Sequence, residues 1–149
     1  MLELTATNTF TGNAYVNAGT LRISGSIASL ATVYTNATLA GSGTVKGFNL
    51  ANGAILAPGG DQAGTLWSSA AVTFGSNSVY QWKMGVTNHD VMVVSGNVTL
   101  ARCRLQLREF GGCTEPDSRL TFLRYTGTVS SVTNFVKIGK HTSELQSQR

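Results

Sequence analysis

A loosely repeated pattern of turns and short apolar runs constrains this chain more than any other feature. The pattern is an apolar pair, a turn containing Asn or Gly, and then a run of β-branched and apolar residues. Its copies are 14–23 (AYVNAGTLRI), 32–43 (TVYTNATLAGSG), 48–59 (FNLANGAILAPG), 72–82 (VTFGSNSVYQW) and 93–105 (VVSGNVTLARCRL). Because Asn and Gly readily adopt the positive φ of sharp corners, the pattern predicts short strands joined at corners.

The turn asparagines give the length of the repeat. Their spacing is about 16 to 25 residues, and they are Asn17, Asn36, Asn52, Asn77 and Asn97. Hairpins of a β-sandwich favour turn signals every 8 to 12 residues, whereas one coil of a β-helix takes about 20. Apolar and polar residues alternate in the strands, as at Leu21, Arg22 and Ile23, so one face is buried. The spacing therefore favours coils, and a two-sheet sandwich with mostly antiparallel pairing is the alternative.

We accordingly expect an all-β, single-domain segment of a right-handed parallel β-helix. Residues 1–136 form its repeat domain, with about six or seven coils stacked at about 4.8 Å. Residues 137–149 form a polar, flexible C-terminal tail. A solenoid that is cut at both ends exposes strand edges. The expected partner is therefore a second copy of the chain, bound through the ends or edges to give a homo-oligomer or filament.

The composition excludes several classes of function. Charged residues make up only 12% of the 149 residues, which fits an outer surface of stacked Thr, Ser and Asn. The net charge of +4 arises after residue 101. No nucleic-acid-binding module or set of stacking aromatics accompanies it, so no nucleic-acid partner is expected. No apolar run approaches the roughly 20 residues of a membrane span, so we expect no membrane insertion by this segment.

Three stretches resemble one known family. Residues 37–66 (ATLAGSGTVKGFNLANGAILAPGGDQAGTL) resemble the passenger-associated strand repeat of bacterial autotransporters, which has the form TLxGxGTVxG, then GAxLAPG and a further GTL. Residues 2–26 (LELTATNTFTGNAYVNAGTLRISGS) resemble the lead-in of that family, NT[YF]TG followed by VNAGTL. Residues 89–107 (HDVMVVSGNVTLARCRLQL) are similar to its DxLxVxGxVxLxGxL element.

The resemblance covers most of residues 2–136 and implies a right-handed β-helix displayed at the cell surface, as part of an adhesin or a stalk. The expected location is therefore extracellular or at the cell surface. The chain departs from the family in three ways. It has no basic and apolar leader at its start, it has no carboxy-terminal membrane barrel, and residues 101–122 (ARCRLQLREFGGCTEPDSRLTF) are unusually basic.

The acids are too few and too scattered to predict an enzyme. Parallel β-helices that cleave polysaccharides gather paired carboxylates, or acids with Ca²⁺ and a basic residue, on one face. This chain has seven acids, and the group to test is Asp61, Lys83, His89 and Asp90. Neighbouring residues of a strand point to opposite faces, which places His89 poorly as a base oriented by Asp90. We expect no catalytic residue, metal or cofactor.

A carbohydrate-binding or polysaccharide-processing β-helix is the alternative function, with surface glycans as partners. Its candidate contact residues are the aromatics Trp67, Tyr80 and Trp82, although the same residue types also cap or fill apolar cores. Gly59 and Gly60 follow Pro58 in APGGDQAGT. They predict a tight turn rather than a phosphate loop, because no Lys-[ST] follows them.

Two cysteines complete the set of candidate sites. Cys103 and Cys113 lie on either side of the turn at Gly111 and Gly112. In an exported protein they are a candidate local disulfide, worth about 2 to 3 kcal/mol through loop entropy. In a cytosolic protein they would be two thiols. Redox catalysis is not expected, because the CxxC spacing is absent.

Overall fold

The computed structural model describes residues 1–85, 87–109, 120–130, 136–138 and 145–148, the last two ranges as backbone strands only. The described residues form β-strands and no α-helix. Among them there is consequently no helix of the length and apolarity that would carry a chain across a membrane. Short β-branched and apolar runs between Asn- and Gly-containing turns account for this all-β structure.

The strands are mostly three to eight residues long. In chain order they are β1 (Leu2–Leu4), β2 (Thr7–Asn8), β3 (Ala14–Val16), β4 (Thr20–Ile23), β5 (Ser26–Val33), β6 (Thr38–Gly41), β7 (Thr44–Leu50), β8 (Ile55–Pro58), β9 (Thr65–Ser68), β10 (Val72–Phe74), β11 (Val79–Met84), β12 (Val91–Val94), β13 (Val98–Leu100), β14 (Arg104–Glu109), β15 (Leu120–Tyr125), β16 (Val129–Ser130), β17 (Val136–Ile138) and β18 (Leu145–Gln148).

The strands pair in parallel within two sheets. The first has the order β1-β4-β6-β8-β11-β14-β17, and the second has β16-β13-β10-β7-β9-β12-β15-β18 as its main path. The bridge between Met84 and His89 is antiparallel and isolated. The prediction of an all-β fold with parallel strands is therefore confirmed, and the antiparallel pairing expected of a sandwich is contradicted.

Each strand of the first sheet pairs with the strand that lies one repeat further along the chain. Thr20 lies beside Thr38, Thr38 beside Ile55, and Ile55 beside Val79. Val79 in turn lies beside Arg104. The steps are about 17 to 25 residues, which is the range that the turn asparagines predict.

The second sheet divides into two runs of strands because β5 and β7 are long. The start of β7 pairs with β9 at Thr44 and Val45. The end of β7 pairs with β10, beginning at Phe48. β5 likewise pairs with β2 near its start and with β3 near its end. Each repeat therefore contributes one strand to the first sheet and either one long strand or two short strands to the second.

Apolar side chains in register form the core between the sheets. One column of paired positions in the first sheet runs through Leu21, Leu39, Leu56, Tyr80 and Leu105, all of them buried. In the second sheet, Phe48 and Phe74 pack edge-on with ring centroids 5.4 Å apart. Burying a large apolar side chain contributes about 1.5–3 kcal/mol. The core is therefore continuous from β4 to β14.

One residue with positive φ occurs at each of five corners that lead from the second sheet into the first. These residues are Gly19 (72°), Asn36 (63°), Gly53 (71°), Asn77 (56°) and Arg102 (48°). The corners also bond to one another. The Asn36 amide donates to the Gly53 carbonyl, and the Asn77 amide to the Arg102 carbonyl, both at 3.2 Å. The left-handed residue is thus a repeated feature of the fold.

Asparagine and glycine share this conformation among the corners. Asn36 and Asn77 have positive φ. Asn17 and Asn52 come shortly before the corner glycine, and that glycine takes the positive φ, because it pays no Cβ penalty there.

The remaining predicted turn residues lie in other loops. Asn97 lies in the bend between β12 and β13, where its Oδ1 accepts hydrogen bonds from the Thr128 amide at 2.9 Å and the Thr128 hydroxyl at 3.2 Å. Gly59 and Gly60 both have positive φ, at 73° and 68°, in the loop between β8 and β9.

Two short strands lie at the C-terminal end of the chain. β17 spans the predicted boundary between residues 136 and 137 and pairs with β14. β18 lies within residues 137–149 and pairs with β15. Part of the segment predicted as a tail therefore continues the two sheets, while the division into a repeat domain and a tail remains a prediction.

Candidate functional site

A buried ion pair lies at the corner between β11 and β12. Lys83 Nζ is 2.6 Å from Asp90 Oδ2, and the two side chains are 3% and 0% exposed. The chain reverses between the two residues, and the Asp90 amide donates to the Lys83 carbonyl at 2.8 Å. The hairpin therefore places the two charges side by side.

Further hydrogen bonds surround both charges. The Asp90 carboxylate accepts from the Lys83 amide and from the Gly64 amide, each at 2.9 Å. Lys83 Nζ also donates to the Pro58 carbonyl at 2.6 Å. Pro58 ends β8, and Gly64 is the last residue of the loop before β9. The ion pair thus joins two successive repeats of the chain.

Glycine is required in that loop because the backbone folds closely upon itself. A Cβ added at Gly59 would overlap the Gln62 carbonyl oxygen and the Gly64 amide nitrogen. A Cβ at Gly60 would lie 3.2 Å from the Arg22 guanidinium. The APGGDQAG segment consequently forms a compact loop that brings the Gly64 amide to Asp90.

The electrostatics of the pair follow from its burial. Removal from water raises the pKa of Asp90, while the hydrogen bond and the positive charge of Lys83 and the two backbone amides oppose that rise. A buried pair is maintained only when its partners and hydrogen bonds are in place. Since both groups are buried and bonded to neighbouring backbone, the arrangement ties the corner together.

The residues proposed as an active-site group come together only in part, since Asp61 and Lys83 line one groove and His89 does not line it. Asp61 lies in the exposed loop, 3.3 Å from the Arg22 guanidinium. The His89 ring packs edge-on against Trp82 with centroids 5.9 Å apart. Lys83 and Asp90 are together, and they form the buried ion pair, which we call the buried tie. The His89 ring packs against Trp82, whereas the Asp90 side chain is fully buried.

Tyr80 and Trp82 are wrong as carbohydrate contacts, because both are 1% exposed and belong to the core. The Tyr80 hydroxyl donates to the Phe122 carbonyl at 2.8 Å, and burial raises the pKa of Tyr80 well above its ordinary value. Trp82 Nε1 donates to the Asp90 carbonyl at 2.6 Å. Trp67, by contrast, is 49% exposed on β9, so it alone of the three lies where a sugar could stack.

A shallow polar groove of about 450 Å³ runs over the outer face of the first sheet. Arg22, Gln81, Lys83 and Arg108 line it, together with Asp61 of the loop. Arg22 is already paired, since its Nε lies 3.4 Å from Glu3. Within the described residues, no group of three His, Cys, Asp or Glu side chains could hold a metal ion.

Cys103 is a buried thiol on the core side of the turn before β14. Burial raises the pKa of this thiol to about 11. Its predicted partner Cys113 lies outside the described residues, so the disulfide remains a prediction.

No protein-family model matches the chain, and a comparison with curated proteins finds none of similar sequence.

Proposed function

We propose that this chain is a segment of a right-handed parallel β-helix, belonging to a secreted or surface-displayed protein of the autotransporter or adhesin type. In this proposal it serves as a stalk or scaffold and can associate with its own copies. The observation that carries the proposal is the parallel pairing of each strand with its equivalent one repeat later. In a stack of that kind every repeat contacts only its neighbours.

The contacts between repeats suit a mechanical role. Backbone bonds run from repeat to repeat at the corners as well as in the strands. The Gly43 amide bonds the Ile23 carbonyl at 2.9 Å, and the Gly59 amide bonds the Gly41 carbonyl at 2.8 Å. Because the apolar columns continue through the same positions, the unfolding of one repeat would expose buried side chains of both neighbouring repeats to water. Such coupling resists local unfolding.

The surface supports the same proposal. Thr20 and Thr38 are neighbours on the outer face of the first sheet, and Thr73 and Thr99 are neighbours on the outer face of the second. Neutral hydroxyl groups repeat without the repulsion that stacked charges would cause. Three of the described acids lie in ion pairs, Glu3 and Asp61 with Arg22 and Asp90 with Lys83.

Deleting one repeat in register tests the stacked arrangement. Deletion of residues 38–54 joins Ala37 to Ile55, which occupies the register position of Thr38. A stack should close over this gap and remain cooperatively folded, with a smaller dependence of stability on urea. Deletion of residues 38–46 is the matched control, because it removes about half a repeat and displaces every following strand. If both variants unfold alike, the stacked arrangement is wrong.

Surface display needs a separate experiment. An antibody raised against this chain should label intact cells of the source organism, and protease added outside should remove the signal. Labelling that appears only after the cells are permeabilised would refute display.

The exposure of Trp67 keeps carbohydrate binding as a second candidate. A glycan array and a turnover assay on acidic polysaccharides should both be silent for a scaffold, and Asp90→Ala should then change neither result. Binding that is lost in Trp67→Ala would instead favour the carbohydrate function.

A further inference from the structure

The polar groove over the first sheet contains a cation that has no counter-charge. Of the cations that line it, Arg22 and Lys83 are already in ion pairs. Arg108 is exposed on β14, and Arg104, four residues earlier on the same face of that strand, is exposed as well. Among the described residues neither arginine takes part in an ion pair. The groove therefore keeps an excess of positive charge at its β14 side.

The shape of the groove suits an extended ligand. Arg22 belongs to β4 and Arg108 to β14, and β6, β8 and β11 lie between these strands in the sheet. At about 4.8 Å per strand, the two strands are about 19 Å apart. The small side chains of Ala40 and Ala57 follow Arg22 in register and leave a recess of about 450 Å³. A linear molecule that follows this recess meets both cations.

The rest of the lining suits a ligand that is rich in hydroxyl groups. Thr20, Thr38, Gln62 and Gln81 line the groove. Hydroxyl and amide side chains both donate and accept hydrogen bonds, as sugar hydroxyls do. Among the described residues of the lining none is aromatic, so the bases of a nucleic acid would find no side chain on which to stack.

Asp61 limits how much negative charge the groove accepts. Its side chain is 88% exposed, and its Oδ2 lies 3.3 Å from Arg22 Nη1. Exposed ion pairs of this kind are weak, so a carboxylate of a ligand can replace Asp61 at the guanidinium. A ligand with a continuous row of phosphates would instead be repelled by Asp61. The charges of the groove thus favour a ligand whose carboxylates are far apart.

We propose that this groove binds an acidic polysaccharide, a chain of sugars that carries uronic acid carboxylates. Arg108 binds one carboxylate through two parallel N–H donors of its guanidinium, and the threonine and glutamine side chains bind the sugar hydroxyls. This inference rests on the second candidate function, carbohydrate binding, and gives that function a site on the sheet that does not contain Trp67. A stalk displays such a groove without any change in its fold.

Isothermal titration calorimetry of the whole chain with a galacturonate oligosaccharide tests the proposal. The methyl ester of the same oligosaccharide is the matched uncharged ligand, and it should bind about tenfold more weakly than the acid. Arg108→Gln should weaken binding of the acid by about tenfold. Asp61→Asn should strengthen it by about two- to fivefold, because Arg22 is released. Arg124→Gln removes an exposed arginine from the second sheet, and as the matched control it should leave binding unchanged.

Equal affinity for the acid and the ester, or equal losses in Arg108→Gln and Arg124→Gln, would overturn the proposal, because either result indicates binding without this site. Tighter binding of a DNA duplex or of anionic lipid vesicles would overturn it as well. Binding that is lost in Trp67→Ala and kept in Arg108→Gln would overturn this site and support carbohydrate binding elsewhere. An absence of binding would overturn both. The stacked arrangement is tested separately, by the folding of the chain that lacks residues 38–54.

Discussion

Removing the Asp90 carboxylate is the most direct test of the buried tie between repeats. In Asp90→Ala the Lys83 ammonium keeps the Pro58 carbonyl but loses its counter-charge, and the Lys83 and Gly64 amides lose their acceptor. Removing one partner of a buried pair costs about 3–5 kcal/mol. Each unsatisfied amide costs about 1–3 kcal/mol, but water that enters the gap offsets part of this. We expect the free energy of unfolding to fall by about 3–5 kcal/mol.

The other partner should matter less. In Lys83→Met, Asp90 keeps both backbone donors, and its pKa rises further because the lysine that lowers it is gone. The acid can then be neutralised by a proton, so we expect a loss of about 1–3 kcal/mol. In the double variant Lys83→Met/Asp90→Ala the ammonium is no longer stranded. The double variant should therefore lose less free energy of unfolding than the two single variants together, by about 1–3 kcal/mol.

Urea unfolding followed by tryptophan fluorescence measures these losses. Trp82 is buried and bonds the Asp90 carbonyl, so its emission reports on the corner itself. A Trp67→Phe background removes the signal of the exposed tryptophan. A loss below about 1 kcal/mol in Asp90→Ala, or strict additivity in the double variant, would refute the assignment of Asp90 as the acceptor that holds this corner.

Two further predictions concern backbone strain and pH. Arg102 is exposed and has φ 48°, so Arg102→Gly should stabilise the protein by about 1 kcal/mol in urea unfolding; an unchanged or lower midpoint would contradict the strain. In reduced protein the Cys103 pKa of about 11 lies above its ordinary 9.0. The unfolded state then releases its proton first, and stability should fall by about 1–3 kcal/mol between pH 9 and 11. Cys103→Ala should make that fall smaller and leave only the part near and above pH 10 that the buried Tyr80 hydroxyl contributes, and a fall as large as that of the wild-type chain would contradict burial of the thiol.

The repeat was predictable because corners and alternation are local properties of the sequence. The alternation at Leu21, Arg22 and Ile23 predicts one buried face, and the two apolar residues are buried. The exact corner residue was less predictable. Arg102 occupies a position that Gly or Asn holds in the other repeats, and residue preference alone does not indicate an arginine there.

The buried tie could not be predicted from the same local signals. Lys83 and Asp90 were identified only as members of a dispersed group of charged residues. Their pairing depends on the hairpin between them and on the Gly64 amide, which lies in the preceding repeat. Tyr80 and Trp82 were uncertain for a related reason, since an aromatic residue on an alternating strand fits either a core or a sugar-binding face. Tyr80 lies in register with the buried residues Leu56 and Leu105, which places it in the core.

The position of the tie follows from where the repeat becomes longer. Between β6 and β7 the chain turns with Ser42 and Gly43 alone, whereas residues 59–64 separate β8 from β9 and residues 85–90 separate β11 from β12. The short corner is held by backbone bonds, such as that from the Gly43 amide to the Ile23 carbonyl. In the two longer corners, the Gly64 and Lys83 amides bond the Asp90 carboxylate instead of a backbone carbonyl. A buried amide needs such an acceptor. A carboxylate that accepts from both loops supplies that partner, and lysine neutralises it where water is excluded.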